Sequence, residues 1–186
     1  MKIALLGCSG SGKSTFAKHL EEELGYPTIE LDGFFHLPGW QQKPSDIFKE
    51  EVSEALDRSE KSAGGWIVDG NYISKLDDLV TSRADVVIWY NLPKSKVMSR
   101  VIKRSLRRAL TREELWNGNR ESILNLARWS PEKNIIRWTW TQHGSYYEQL
   151  RYLSKESEKD LNPKWIEIKD DKDLTTALNY LVSNNL

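Results

Sequence analysis

Residues 2–15, which read KIALLGCSGSGKST, carry the strongest fold signal in the sequence. Lys2–Leu6 is a short and mainly apolar run, as expected of a strand that is buried on both faces of a parallel sheet. Gly7–Thr15 follows and satisfies the pattern Gly-x-x-x-x-Gly-Lys-Ser/Thr. Ser14–Leu24 then carries apolar side chains at helical spacing, and Gly25 is a suitable C-terminal stop. A strand, a glycine-rich turn and a helix in this order predict a phosphate-binding loop.

The residue types of this loop suit a nucleoside triphosphate. Glycines let the backbone turn inward without Cβ clashes, so that successive N–H groups can surround a phosphate at the positive end of the helix dipole. Lys13 adds a mobile positive charge, Ser14 is placed to bind a Mg²⁺ ion and Thr15 to bind an inner phosphate. We therefore expect ATP and Mg²⁺ as cofactors. The predicted cofactor-binding residues of the loop are Gly7, Ser9, Gly10, Ser11, Gly12, Lys13, Ser14 and Thr15.

Four more apolar runs follow along the chain, separated by helix-length stretches. Strands that alternate with helices predict a parallel α/β sheet. Further helices are expected from Ser45, which would be the N-cap of a short helix, from Ser130 to about Ser154, and over Asp171–Leu181. The helix that starts at Ser45 should bury one apolar face. The four runs are Thr28–Leu31, Trp66–Val68, Val86–Tyr90 and Trp165–Ile168, and the apolar face comprises Ile47, Phe48, Val52, Ala55 and Leu56.

The composition fits one globular domain over residues 1–186. The 27 Lys and Arg residues balance the 27 Asp and Glu residues, so net charge gives no reason to expect sequence-independent DNA or membrane-surface binding. No apolar run approaches the roughly 20 residues that cross a bilayer. Cys8 is the only cysteine, and the three histidines lack ligand spacing, so structural zinc is not expected. These features favour a cytoplasmic protein without a membrane partner, and we expect a monomer or a homodimer.

Two aspartates that follow predicted strands are candidates for site chemistry. Asp69 is placed to support the Mg²⁺ ion that Ser14 binds, although an Asp-Gly turn after a strand is also common. Asp32 could orient or deprotonate an acceptor hydroxyl, whereas it would repel an acceptor phosphate. The aromatic residues after Asp32 can either pack a helix onto the sheet or line a pocket for a planar ring, and both alternatives stay open. They are Phe34, Phe35 and Trp40.

Lys94–Arg112 carries eight basic residues and no acidic one, which indicates an anionic partner. On a helix, one arc of this segment is cationic and the opposite arc is apolar. Its arginines could stabilise charge on a transferred phosphoryl group, and Arg120 could add an anion contact at a hinge as a lid closes. A solvated basic face and a weak nucleic-acid contact are the alternatives. The cationic arc comprises Arg100, Lys103, Arg104, Arg107 and Arg108, and the apolar arc comprises Met98, Val101, Ile102, Leu106 and Ala109.

These motifs, in order along most of the chain, resemble those of the small P-loop kinases of the adenylate kinase-like group. GWIVDG at residues 65–70 is similar to the third strand and Asp-Gly turn of that group, and residues 85–93 are similar to its fourth strand. The resemblance implies an α/β, three-layer P-loop NTPase fold with a helical lid and a five-stranded parallel sheet of order 2-3-1-4-5. It also implies that Arg100 stacks on the ATP base and that Arg104 meets phosphates. Within the single domain, residues 33–62 would be an acceptor-side insertion and residues 94–125 an arginine-rich lid region.

A closer resemblance is to the bacterial topology modulation proteins, a family whose name describes a phenotype rather than a reaction. It rests on HLPGW at residues 36–40, DGNY at residues 69–72 and REELWNGNRE at residues 112–121. Adenylate kinases place Phe-Pro-Arg after the Asp-Gly turn, with an arginine that grips the acceptor monophosphate, but Asn-Tyr-Ile stands at residues 71–73 here. DGFF at residues 32–35 is similar instead to uridine and nicotinamide riboside kinases, whose carboxylate after the second strand faces a substrate hydroxyl.

The sequence therefore predicts an ATP-dependent phosphotransferase that moves the γ-phosphoryl group of Mg-ATP to a small, nucleoside-like hydroxyl compound. One alternative is a nucleoside monophosphate kinase, whose acceptor phosphate would be met by lid arginines or by Arg58. Another is a nucleotide-dependent regulator that binds nucleic acid through the basic helix, although nucleic acid is not the expected partner. The predicted catalytic residues are Lys13, Asp32, Arg104, Arg108 and Arg120, and the predicted Mg²⁺ ligands are Ser14 and Asp69.

Overall fold

Five parallel strands form the central sheet of the computed structural model, which describes residues 1–126, 129–130, 134–157 and 163–185. Counted within this sheet, their order is second, third, first, fourth and fifth, so β1 is the middle strand. The α/β class and the five-stranded parallel sheet predicted from the sequence are confirmed. The strands are β1 (Lys2–Gly7), β2 (Thr28–Glu30), β3 (Trp66–Asp69), β4 (Val86–Tyr90) and β5 (Lys164–Ile168).

Helices connect the strands and cover both faces of the sheet. A hairpin that was not predicted, with strands of two residues at His36–Leu37 and Gln41–Gln42, lies between β2 and β3. Within the described ranges, no helix has the length and apolar character needed to cross a bilayer. The helices are α1 (Lys13–Leu24), α2 (Leu31–Phe35), α3 (Ser45–Ala63), α4 (Ile73–Leu76), α5 (Lys94–Thr111), α6 (Ile123–Leu126), α7 (Ile135–Ser157) and α8 (Asp171–Ser183).

The strand pleat separates the core into two layers. Because successive side chains of a strand point to opposite faces, Ala4 and Leu6 of β1 join α3 and α7, whereas Ile3 and Leu5 join α1, α5 and α8. Both layers consist of buried aliphatic and aromatic side chains. The sheet is therefore covered on both sides, which gives three layers.

Two of the predicted helices differ in their bounds. The helix expected from Ser130 begins at Ile135; Ser130 itself is not helical, and residues 131–133 lie outside the described residues. The helix at Ser45 was expected to be short, but α3 has 19 residues. Ser45 does not cap it, because Pro44 is the N-cap residue and no side chain makes a capping hydrogen bond.

The apolar face of α3 was predicted correctly except for Ile47. Phe48, Val52 and Leu56 are fully buried, whereas Ile47 is 44% exposed. At about 100° per residue, Ile47 lies about a third of a turn away from the centre of the buried face. The helix thus contacts the sheet through a narrower stripe than the sequence suggested.

Phe48→Ala should lower the free energy of unfolding by about 3–5 kcal/mol, because it leaves a cavity at a fully buried position. Ile47→Ala, one residue earlier on the exposed side, is the control and should cost less than about 1 kcal/mol. Urea unfolding followed by circular dichroism measures both. Equal losses in the two variants would contradict the packing described for α3.

The apolar arc predicted for α5 is also partly wrong. Ile102 is 40% exposed and Leu106 is 49% exposed, although both were assigned to the packed side. The buried face instead runs through Val97, Val101 and Ser105, with Met98 and Ala109 at its border. The helix is rotated so that its packed face lies toward β1 and its loop, and this rotation brings Arg104 and Arg108 to the edge of the buried face.

Candidate nucleotide site

The loop between β1 and α1 has the backbone that the motif requires. Gly7, Gly10 and Gly12 have φ angles of +140°, +80° and +107°, which side-chain-bearing residues rarely adopt. The N–H of Ser11 donates to the carbonyl oxygen of Cys8 across the turn at 3.3 Å. Gly12 is the N-cap residue of α1 and offers no side-chain cap, so the first N–H groups of the helix point into the loop without a capping partner. This end of α1 suits an anion.

Gly10 also lets α5 approach the loop closely. A Cβ atom at Gly10 would lie 2.4 Å from Cγ2 of Val101 on α5 and 3.1 Å from the carbonyl oxygen of Val97. Because backbone and a β-branched side chain cannot move away easily, only glycine fits here. The close contact places the basic side of α5 directly beside the loop.

Three cationic side chains converge on this loop. Nζ of Lys13 donates to the carbonyl oxygens of Gly7 and Cys8, each at 2.9 Å. Nη1 of Arg100 donates to the carbonyl oxygen of Ser11 at 3.0 Å, and Nη2 of Arg104 donates to Oγ of Ser9 at 2.6 Å. The structure therefore brings Lys13, Arg100 and Arg104 together around the residues predicted to bind phosphate.

The Arg104 guanidinium fits an anionic ligand for a further reason. Burial, and then the neighbouring positive charge of Arg108, lower the pKa of Arg104. Its Nε atom is buried and makes no hydrogen bond in the described part of the chain. A buried guanidinium with a free N–H donor is strongly stabilised when a phosphate oxygen binds to it.

The predicted magnesium ligands lie near each other, with Ser14 in the first turn of α1 and Asp69 at the end of β3. Asp69 is 8% exposed. Burial raises the pKa of Asp69, although the charge of Lys13 and the nearby Ser14 hydroxyl oppose that rise. Among the described residues, no group of three or more His, Cys, Asp or Glu side chains could enclose a metal ion. One carboxylate and one hydroxyl fit Mg²⁺, which takes its remaining ligands from phosphates and water.

Asp32 lies across from the loop, near the start of α2. The hydroxyl of Tyr72 donates to Oδ1 of Asp32 at 2.5 Å. Asp32 is close enough to Arg104 for its charge to favour the protonated guanidinium. The site thus has a cationic side at the loop and a carboxylate side at α2. The partnership with Tyr72 was not predicted, because 40 residues separate the two positions and no motif links them.

The aromatic residues after Asp32 mainly pack. Phe35 is 5% exposed, and its ring contacts those of Phe48 and Tyr72 at centroid distances of 5.2 and 4.9 Å. Phe34 is partly buried against the same core. Nε1 of Trp40 donates to the carbonyl oxygen of Arg120 at 3.1 Å. For Phe35, the structure supports packing over the open alternative of a pocket wall.

The segment Trp116–Arg120 packs against residues 30–37, which include Asp32. Nε1 of Trp116 donates to Oε2 of Glu30 at 2.7 Å, and Nδ2 of Asn117 donates to the carbonyl oxygen of His36 at 2.6 Å. Nδ2 of Asn119 donates to the carbonyl oxygen of Leu37 at 3.0 Å. The sequence predicted a hinge here, and the structure shows a turn whose side chains bond to Glu30 and to the backbone of His36 and Leu37.

Arg108 and Arg120, both predicted catalytic, contact carboxylates within residues 113–121. Nη1 of Arg108 lies 3.3 Å from Oε1 of Glu121, and the Arg108 side chain is 15% exposed. Nη2 of Arg120 lies 2.7 Å from Oε2 of Glu114, and the Arg120 side chain is 51% exposed. Arg108 is adjacent to Arg104 and thus to the loop. Arg120 instead pairs with Glu114 and so joins the two ends of the turn at residues 114–120.

Cys8 should react slowly with alkylating reagents. It is 7% exposed, and burial raises the pKa of its thiol to about 11, despite the opposing charge of Lys13. Since only the thiolate is nucleophilic, alkylation by iodoacetamide at pH 8 should be about 100-fold slower than that of a free cysteine. Mass spectrometry over time measures the rate. A rate equal to that of glutathione would show that the loop is open.

Sequence similarity relates the chain to adenylate kinases. An adenylate kinase of Mycolicibacterium vanbaalenii is 29% identical over 125 residues, which span 54% of this chain and 68% of that protein. An adenylate kinase of Nocardia farcinica is 28% identical over 127 residues, 56% of this chain and 70% of that protein. No protein-family model matches the chain. The resemblance to topology modulation proteins stays a prediction, because the relatives named here are adenylate kinases.

A solved structure supports the fold. The deoxyadenosine kinase of M. mycoides, determined with the products dCMP and a flexible dCDP bound, aligns with a TM-score of 0.52 over 98% of this chain and 99% of that chain. Sequence identity is 16%, so this likeness concerns the fold alone. Together, the fold, the loop and the relatives support a P-loop nucleotide kinase-like protein.

Proposed function

We propose that the chain is an ATP-dependent kinase that transfers the γ-phosphoryl group of Mg-ATP to a hydroxyl group of a small, nucleoside-like acceptor. The observation that carries this proposal is the arrangement around Arg104. Its guanidinium bonds to Ser9 in the loop and interacts electrostatically with Asp32 on the opposite side. A phosphoryl group that passes from the loop toward Asp32 would remain beside this cation throughout.

The residues of the loop would bind ATP and hold the γ-phosphoryl group in position. Lys13 and Arg104 would stabilise negative charge on that group, with Arg108 as a second cation behind Arg104. Ser14 and Asp69 would hold Mg²⁺, which supplies further positive charge to the phosphates when it is bound. Catalysis would then depend on positioning and on charge, because phosphoryl transfer needs little covalent chemistry from the protein.

Asp32 would act on the acceptor. It would accept a hydrogen bond from the acceptor hydroxyl and take its proton as the oxygen bonds to the γ-phosphorus. The bond between that phosphorus and the β–γ bridging oxygen breaks, and ADP leaves with the electron pair. A carboxylate beside the acceptor favours a neutral hydroxyl compound over a phosphate, which would be repelled.

Two features weigh against a nucleoside monophosphate as the acceptor. Ile73 stands where adenylate kinases carry the arginine for the acceptor phosphate. Arg58, the other candidate, is on α3, where its side chain is 68% exposed and pairs with Glu54. The nucleic-acid alternative is also less supported, because Arg104 and Arg108 bond within the protein and do not belong to an exposed basic surface.

An acceptor screen with wild type and Asp32→Asn tests the proposal. Release of ADP should depend on one or more nucleosides in wild type and should fall by about 100-fold in Asp32→Asn, while ATP affinity is retained. Asp46→Asn, which neutralises an exposed aspartate on α3, is the control. Turnover stimulated by monophosphates and not by nucleosides would contradict the proposed acceptor class. Unchanged turnover in Asp32→Asn would remove Asp32 from the mechanism.

A further inference from the structure

Tyr72 is held rigidly beside Asp32, the carboxylate proposed to act on the acceptor. It precedes α4 and lies three residues after Asp69. Its ring packs against Phe35 and Phe48, with centroid distances of 4.9 and 5.3 Å. Two aromatic contacts on one ring fix the direction in which the hydroxyl points. The hydroxyl position is therefore set by the core and not by Asp32 itself.

The Tyr72 hydroxyl can donate one hydrogen bond, and the distances show that it donates to Asp32. The distance from the Tyr72 oxygen to Oδ1 of Asp32 is 2.5 Å, whereas the distance to Nε2 of His36 is 3.4 Å. Burial, and then the charge and hydrogen bond of Asp32, raise the pKa of Tyr72 far above its usual range. Burial also lowers the pKa of His36, so a neutral imidazole adjoins the pair at neutral pH. Tyr72 thus remains a donor to Oδ1.

Asp32 would have a competing partner without this bond. The charged and titratable groups around it are Arg104 from α5, Asp69 from β3, Tyr146 from α7 and His36. Among these, Arg104 is the permanent cation and attracts the carboxylate. A direct ion pair with Arg104 would occupy both of the groups that the proposed reaction needs.

We infer that Tyr72 is a positioning residue, which anchors Oδ1 of Asp32 so that Oδ2 meets the acceptor hydroxyl and the carboxylate does not collapse onto Arg104. The inference rests on the proposed function for the role of Asp32. It goes beyond that function because it assigns a task to the residue that stands where adenylate kinases have proline.

A double-mutant cycle tests the inference with adenosine, 2′-deoxyadenosine, cytidine and uridine as acceptors. Tyr72→Phe keeps the ring and removes the hydroxyl. It should lower kcat by about 10- to 100-fold and leave KM for ATP within about twofold. In the Asp32→Asn background, the same substitution should cause no further loss, since Tyr72 acts through Asp32. Tyr26→Phe is the matched control, because that hydroxyl also makes a 2.5 Å bond, to Asn185.

Equal losses from Tyr72→Phe in both backgrounds would overturn the inference, and so would an unchanged kcat. A second measurement does not need an acceptor. The ¹³C resonance of the Tyr72 ring carbon Cζ should move in Asp32→Asn and stay in place in Asp46→Asn. A resonance that is unchanged in Asp32→Asn would overturn the inference. If wild type phosphorylates no acceptor, the proposed function fails, and this resonance still decides whether Tyr72 holds Asp32.

Discussion

Lys13→Ala should lower kcat/KM for ATP by about a thousandfold. Lys13 is 8% exposed, and its ammonium group lies across the loop on the carbonyl oxygens of Gly7 and Cys8. The substitution removes the positive charge expected to lie nearest to the phosphates of bound ATP. It also leaves those two carbonyl oxygens without this donor, so the loop loses both its ligand contact and its internal support.

Steady-state ADP release and calorimetric binding of Mg-ATP measure the effect of Lys13→Ala. Lys18→Ala is the control, because Lys18 is exposed on the same helix. A melting temperature close to that of wild type would show that the loss is chemical and not a failure to fold. A Lys13→Ala enzyme that retains wild-type affinity for Mg-ATP and wild-type turnover would contradict the role given to the loop.

Arg104→Ala should lower kcat by about a thousandfold, within the range known for arginines that stabilise a transferred phosphoryl group. The Arg104 guanidinium is the one that contacts the loop at Ser9 and interacts with Asp32. KM for ATP should change much less, because Lys13 and the loop N–H groups would still bind the phosphates. Arg104→Lys should recover only part of the rate, since an ammonium group lacks the planar fork of a guanidinium.

Arg107→Ala is the matched control for Arg104. It removes an arginine from the same helix, but this side chain is 63% exposed and pairs with Glu113. Single-turnover measurements separate the chemical step from product release. If Arg104→Ala and Arg107→Ala have equal effects on the chemical step, the basic side of α5 acts as a general positive surface, and the assignment of Arg104 is wrong.

Most of the fold could be predicted because its signals are local. Each strand is a short apolar run, and Gly7–Lys13 defines the loop by pattern and by context. The rotation of α5 could not be predicted. Ile102 and Leu106 have the right polarity for a packed face, but the close approach at Gly10 selects Val97 and Val101 instead.

The site residues could be predicted where they belong to one sequence motif. Contacts between segments that are distant in sequence could not be predicted. Arg100 and Arg104 were identified by a resemblance in spacing, and both bond to the loop. The bond between Trp116 and Glu30 joins residues 86 positions apart, and the bond between Tyr72 and Asp32 joins residues 40 apart. Nothing in the local sequence specifies such pairs, because they follow from the packing of separate elements.

Titration of wild type with ATP in an isothermal calorimeter, with and without Mg²⁺, shows whether the loop binds a nucleoside triphosphate. We expect binding of one ATP per chain with a Kd below about 1 mM in the presence of Mg²⁺. We also expect weaker binding in Ser14→Ala and Asp69→Asn when Mg²⁺ is present. Absence of binding by wild type at millimolar ATP and Mg²⁺ would contradict the claim that this loop binds a nucleoside triphosphate.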